Sequence, residues 1–246
     1  MSGGIYINAV RLSRPIPPDN YISRLPVIKN FNGLTFKKPV TFIIGENGTG
    51  KSTLLEAIAI NYGFNPEGGS INFTFATNDT HSGLYRYITL SKGIHPPKDG
   101  FFLRAESMNN IATSIDRLDA EPSFDGRIIE AYGGVSLHMQ SHGESLLAIV
   151  NNRFFGNGLY ILDEPEAALS PSRQLALLAQ MHGLVKNNSQ FIITTHSPIL
   201  MAYPGADIYE LSDKGIKLTE YKETEHYQVT KQFLDSPERM LHYLLG

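Results

Sequence analysis

The segment Ile44-Gly45-Glu46-Asn47-Gly48-Thr49-Gly50-Lys51-Ser52-Thr53 carries the densest chemical pattern in the chain. Gly45, Gly50, Lys51 and Ser52 fit the spacing G-x-x-x-x-G-K-[ST], placed between an apolar run, VTFIIG, and a helix-forming stretch. Such a pattern suits phosphate capture. Phosphate oxygens need backbone N–H donors at close range, and glycines let the backbone approach them. A helix that starts behind the loop adds the positive end of its dipole. Lys51 is then placed to neutralise terminal phosphates, and the Ser52 hydroxyl to hold Mg²⁺. The candidate nucleotide ligands are Gly45, Glu46, Asn47, Gly48, Thr49, Gly50, Lys51, Ser52 and Thr53. The competing reading is a glycine-rich turn that binds nothing, and the strand–loop–helix setting argues against it.

The second pattern is LYILDEPEAALS, where Asp163 and Glu164 end an apolar run. Side chains alternate along a strand, so the two carboxylates aim differently. Asp163 is the candidate partner of Mg²⁺ and Glu164 the candidate general base for an attacking water. The competing reading is an acidic loop before a helix. The third pattern is FIITTHSP, where His196 follows another apolar run. In open α/β sheets ligands bind at the carboxyl ends of strands, so Gly45, Asp163 and His196 should converge. His196 could then donate to a γ-phosphate. The other seven histidines lack such a setting and read as structural or surface residues.

The stretch Ser141-His142-Gly143-Glu144 precedes an apolar run and fits the S-x-x-E spacing of a capping box. By spacing alone it is a helix start.

These residues need a scaffold. GGIYINAVRLS and GLTFKKPVTFIIG read as strands separated by a proline-rich loop, and a helix should run from Lys51 to about Tyr62. INFTFAT, YRYITL and GFFLRAES are strand-like. Residues 107–135 are weakly patterned and read as partly helical. Helices are expected from about Ser141 to Phe154 and from Pro171 to Lys186. GLYILDEP and QFIITTHSP read as buried strands, and DIYELSDKGIKLTEY as a hairpin turning at Ser212–Gly215. Amphipathic helices close the chain. Strands alternating with helices predict an α/β fold with a mostly parallel sheet.

Composition narrows the function classes. With 246 residues, 41% of them hydrophobic, the chain is long enough for one large α/β domain with a small subdomain. A formal charge of -3 implies no strong global attraction to nucleic acid or acidic lipid. The absence of cysteine excludes disulfides, thiolate metal sites and thiol catalysis. No apolar run reaches the roughly 20 residues that span a bilayer, and no signal-peptide pattern opens the chain. A cytoplasmic protein without membrane insertion is expected.

The order of phosphate loop, Ser-x-Gly-Glu helix start, hydrophobic-Asp-Glu and histidine-bearing strand resembles the ABC-type ATPases. The resemblance spans residues 5–209 and implies a P-loop ATPase head: a mostly parallel central sheet, an antiparallel β region and a small helical subdomain at about 107–155, all within a single domain, 1–246. In that family a motif written L-S-G-G-Q reaches across a head-to-tail dimer to the γ-phosphate held by the other subunit. Ser141 matches its serine and Gly143 its second glycine, while His142 replaces the first glycine and Glu144 the glutamine. GFFLRAES, SHGES and LDEPEAALSP are more similar to stand-alone ATPases related to recombination, repair and chromosome-maintenance heads than to transporter subunits.

Two positions depart from the family. Transporter subunits carry a Mg²⁺-binding glutamine after the strand that follows the phosphate loop, but no glutamine lies between Lys51 and Gln140. Glu106 is the best substitute, against a structural ion pair as the alternative. The family's D-loop aspartate falls at Ser170. The adenine contact stays open among Tyr21, Arg11 and Arg14, with a plain surface tyrosine as the alternative. The resemblance therefore implies an ATP- and Mg²⁺-dependent ATPase acting as an ATP-sandwich homodimer, with Glu164, His196 and Lys51 catalytic and with Ser52, Asp163 and Glu106 serving the metal. Its partner would be a nucleic acid or another protein, in repair, recombination or defence. The alternatives are a transporter ATP-binding subunit and a slowly hydrolysing, nucleotide-gated interaction module.

Overall fold

The near-continuous apolar runs form the centre of a seven-stranded sheet in the computed structural model, which describes residues 4–71, 82–104, 108–120 and 127–246. In chain order the strands are β1 (Ile7–Leu12), β2 (Leu34–Thr35), β3 (Val40–Gly45), β4 (Gly69–Ser70), β5 (Ile88–Lys92), β6 (Asp99–Arg104), β7 (Gly158–Asp163), β8 (Gln190–Thr194), β9 (Asp207–Ser212) and β10 (Gly215–Leu218). The large sheet has the order β10-β9-β3-β8-β7-β6-β4. Strands β9, β3, β8, β7 and β6 run parallel, and β10 and β4 close the edges antiparallel. A second, antiparallel sheet has the order β2-β1-β5.

The helices are α1 (Pro26–Lys29), α2 (Lys51–Tyr62), α3 (Met108–Ala120), α4 (His142–Arg153), α5 (Pro171–Lys186), α6 (Pro198–Met201), α7 (Glu225–Asp235) and α8 (Pro237–Leu245). Strand alternation sorts the core into two layers. Phe42, Ile44, Phe101, Leu103, Tyr160, Leu162, Phe191 and Ile193 face α3 to α6. Ile43, Phe102, Leu159, Ile161 and Ile192 face the other way, onto α2 and the three-stranded sheet. Both faces are therefore covered, as a parallel sheet requires. Each fully buried Leu, Ile or Phe contributes about 1.5–3 kcal/mol of apolar transfer. The carboxyl ends of the central strands are thus held on a rigid base.

Two expectations change. GLTFKKPVTFIIG is not one strand: it breaks between Thr35 and Val40, where Pro39 has no N–H to donate, and its halves join different sheets. The first half of YRYITL lies in a 3₁₀ turn, Gly83–Tyr87, and only the second half enters β5. Most of INFTFAT, and residues 105–107 of GFFLRAES, lie outside the described residues. The helices expected at Lys51–Tyr62 and Pro171–Lys186 are found with those bounds. Among the described residues no helix is long and apolar enough to cross a membrane.

Candidate functional site

Sheet order brings the motifs together. β8 lies between β3 and β7, and Thr194 at its end pairs in register with both Ile43 and Asp163. Asp163 in turn pairs with Arg104 at the end of β6. Three chain segments far apart in sequence thus present their last residues side by side.

The phosphate loop leads from β3 into α2. Gly48 and Gly50 take φ values of +81° and +96°. At Gly50 a Cβ would lie 2.7 Å from Val27 Cγ1, so both conformation and space call for glycine there. Gly50 caps α2 without a side-chain hydrogen bond, which leaves the first N–H groups of the helix directed at the loop. Lys51 is buried, and its Nζ donates to Gly45 O at 2.9 Å and Glu46 O at 3.0 Å. Burial lowers its pKa, while the nearby charges of Glu164, Asp163 and Glu166 act in the opposite sense.

Asp163 is buried, and burial raises its pKa. Its carboxylate accepts from Thr194 Oγ1 at 2.6 Å and from the Ser52 hydroxyl, and its Oδ2 lies 3.7 Å from Arg104 Nε. Arg104 also pairs with Glu56 at 2.6 Å. Ser52 and Asp163 therefore share one point, with oxygens suited to a hard cation.

Glu164 has φ +48° and ψ 54°, a left-handed conformation for a residue with a side chain. That costs about 1–3 kcal/mol and is held by the surrounding bonds. Its N–H donates to both Thr194 O and Thr194 Oγ1 at 3.1 Å. Glu164 lies past the end of β7, so this left-handed turn rather than strand alternation directs its carboxylate, and Oε1 lies 3.5 Å from His196 Nε2. The His196 backbone N–H donates to Glu166 Oε1 at 2.5 Å. Burial raises the pKa of Glu166 and lowers that of His196.

Thr194, Glu166 and His226 were not singled out from sequence. Threonine in an apolar strand and glutamate in an acidic loop carry no spacing signal. His226 is one of the seven histidines read as structural or surface residues, and its Nε2 lies 3.1 Å from His196 Nδ1. His226 is the second residue of a helix in a polar segment, and its sequence setting offered no sign of that contact.

Ser141 and Gly143 stand apart from this cluster. The Ser141 N–H and hydroxyl both donate to Glu144 Oε2, at 3.0 and 2.6 Å. Arg173 donates to Ser141 Oγ at 3.2 Å and to Glu144 Oε1 at 3.0 Å. These bonds pull the pKa of Glu144 down, the Ser141 hydroxyl foremost. Gly143 is buried, and a Cβ there would lie 2.5 Å from Ala168 O and 2.7 Å from Arg173 Nη1. Glycine is thus required for α4 to approach the segment after β7. No hydrogen bond among the described residues joins Ser141 to the phosphate loop.

The remaining candidates are dispersed. Glu106 lies outside the described residues. Tyr21 is exposed and donates to Ser82 Oγ at 3.1 Å, and Arg14 stacks over Tyr87 at 4.8 Å. Arg11 is exposed on β1. None of these three lines the cavity over the phosphate loop. Ser170 is the N-cap residue of α5 but makes no side-chain cap bond, and His142 is exposed beside Met108 and Asn109.

A cavity of about 730 Å³ opens over Gly45–Thr49, walled by His196, by Glu210–Asp213 and by His226, Val229 and Thr230 of α7. Its size suits a nucleotide-sized ligand. The residues present fit a magnesium nucleotide: glycine-lined N–H groups, a buried lysine whose donors face the loop, and a serine–aspartate oxygen pair beside it.

Comparison with known proteins agrees with this geometry. Residues 22–96 match a family described as AAA domain, and residues 148–201 match one described as AAA ATPase domain. The xylose/arabinose import ATP-binding protein XylG of Sulfolobus acidocaldarius is 26% identical over 238 residues, 89% of this chain and 90% of that protein. ABC transporter G family member 22 of Arabidopsis thaliana is 24% identical over 217 residues, which cover 81% of this chain but 28% of that longer protein. Among solved structures, cbiO1 from Clostridium perfringens, part of the ABC transporter complex cbiONQ, superposes with a TM-score of 0.50 at 18% identity, covering 98% of this chain and 100% of that one. The fold, the order of motifs along it and both family matches are similar to those of ABC-type P-loop ATPases.

Proposed function

We propose that this protein binds and hydrolyses ATP with Mg²⁺, as a homodimer that sandwiches the nucleotide. The observation that carries the reading is the left-handed turn at Glu164, which points its carboxylate at His196 beside Lys51 and Asp163. Strain of this kind persists where the surrounding structure holds it, commonly at functional sites.

The residue roles follow from chemistry. The Gly45–Thr53 loop receives the phosphates. Lys51 exchanges the carbonyls of Gly45 and Glu46 for phosphate oxygens. Ser52 and Asp163 hold the metal, with Glu106 a further oxygen donor. Held there, Mg²⁺ would supply positive charge to the terminal phosphates. Glu164 accepts a proton from water as the water oxygen bonds to the γ-phosphorus and the bond to the β,γ-bridging oxygen breaks. His196 steadies the γ-phosphate. Ser141 and Gly143 of a second copy close the site: the Ser141 hydroxyl caps α4 in the single chain and turns to the phosphate in the dimer.

Glu164→Gln tests this. Turnover should fall by about 10²–10⁴-fold while ATP still binds, and an ATP-dependent dimer should accumulate in sizing experiments. Ser141→Arg in that background should abolish the dimer. ATPase activity and dimerisation that both survive Ser141→Arg would refute the composite site.

The work driven by ATP is a separate question. The motifs at GFFLRAES, SHGES and LDEPEAALSP favour a stand-alone cytoplasmic ATPase, residues 1–246 forming one domain, in repair, recombination or defence with a nucleic acid or protein partner. The names of its relatives favour a second reading, an ATP-binding subunit of a transporter. Co-purification of the Glu164→Gln protein with an integral membrane protein would select the second, and salt-sensitive DNA binding strengthened by ATP would select the first.

A further inference from the structure

The His196 ring touches more than Glu164. Its Nδ1 lies 3.1 Å from His226 Nε2 on α7, with ring centroids 5.3 Å apart at 51°. Only one of these two nitrogens can carry the shared proton when both rings are neutral. Two arrangements are available. In the first, His226 Nε2–H donates to His196 Nδ1, so that His196 carries its proton on Nε2. In the second, His196 Nδ1–H donates to His226.

The surroundings choose between them. On the far side of His196, Nε2 faces Glu164 Oε1 at 3.5 Å. A carboxylate only accepts, so the second arrangement would set a ring lone pair against carboxylate lone pairs. His196 Nε2 and His226 Nδ1 are both buried without a hydrogen-bond partner among the described residues, but Nε2 has the Glu164 carboxylate 3.5 Å away to favour a proton there, and the second arrangement moves the proton to His226 Nδ1 instead. A buried N–H left unpaired costs more than a bare lone pair there. Burial lowers the pKa of both rings, which keeps them neutral; Lys51 lowers both further, while Glu164 opposes this at His196 and Glu225 and Glu210 oppose it at His226.

We infer that His226 is a positioning residue of the nucleotide site: it donates to His196 Nδ1 and thereby fixes His196 as the Nε2–H tautomer, a hydrogen-bond donor aimed at the γ-phosphate position. The aim at phosphate rests on the proposed nucleotide reading; the tautomer does not. α7 belongs to the site for this reason. It also carries Val229 and Thr230 into the cavity wall.

Nitrogen-15 spectra of the full chain labelled at histidine test the inference, with His196 assigned by loss of its signals in His196→Gln. Without nucleotide, His196 should show a protonated Nε2 and a bare Nδ1. His226→Ala should leave a mixture of both tautomers, and His226→Gln, whose amide also donates, should restore the single form. In turnover, His226→Ala should lower kcat on the order of tenfold with ATP affinity unchanged, and His226→Gln should recover most of it. A His196 protonated on Nδ1 in the parent protein overturns the inference, as does an unchanged single tautomer in His226→Ala. A parent protein that does not bind Mg-ATP would defeat the nucleotide reading, and the spectra would still decide the role of His226.

Discussion

Thr194 Oγ1 donates to Asp163 Oδ1 at 2.6 Å, and the same oxygen accepts from the backbone N–H of Glu164 at 3.1 Å. One hydroxyl thus orients a buried carboxylate and holds the turn that follows it. This is possible because β7 and β8 are parallel neighbours with Asp163 opposite Thr194.

Thr194→Val keeps the shape and removes the hydroxyl. It leaves the buried Asp163 carboxylate short of a donor and one support of the Glu164 turn missing. Urea unfolding should show a loss of about 1–3 kcal/mol, the cost of an unsatisfied buried group. ATP turnover should fall with it, whereas Thr194→Ser should retain most of both. Equal stability for the Val and Ser variants would contradict the dual role.

Glu164→Gly separates stability from chemistry. The left-handed backbone costs a side-chain-bearing residue about 1–3 kcal/mol, which glycine avoids at an entropic cost of roughly 0.5–1 kcal/mol. The variant should melt at the same temperature as the parent or slightly above it, yet hydrolyse no ATP. A marked drop in melting temperature would mean that the Glu164 side chain, rather than its neighbours, holds the turn.

Gly143→Ala should act through Ala168 and Arg173. The added methyl would sit 2.5 Å from Ala168 O, so the start of α4 must move. Overpacking of this kind costs about 1–3 kcal/mol. We expect a lower melting temperature and, in the Glu164→Gln background, loss of the ATP-dependent dimer while monomeric ATP binding persists. A variant that melts and dimerises like its parent would show that the approach of α4 to Ala168 is slack.

The sequence by itself determined the elements whose cause is local. The phosphate loop, the helix at Lys51–Tyr62 and the strands ending at Gly45, Asp163 and Thr194 are written in short apolar runs and in a glycine spacing that few other structures need. So is the Ser141 helix start, whose capping partner Glu144 lies within one turn. Convergence of Gly45, Asp163 and His196 followed from the rule for strand ends, and the resemblance to ABC-type ATPases from the order of the motifs.

Only the tertiary structure decided which side chains meet across elements. Thr194 reaches Asp163 through sheet register, Arg173 reaches Ser141 through the packing of α5 on α4, and His226 reaches His196 through the return of α7 over the cavity. In each case the partners stand some thirty positions apart, and no periodicity links them. The break at Pro39 shows the same limit. Residues 34–45 carry strand-forming sequence on both sides of it, but which sheet each half joins depends on the surface available to bury it. Local spacing encodes backbone form and the kind of chemistry at hand; the hydrogen-bond partners that tune that chemistry arise only when distant elements pack.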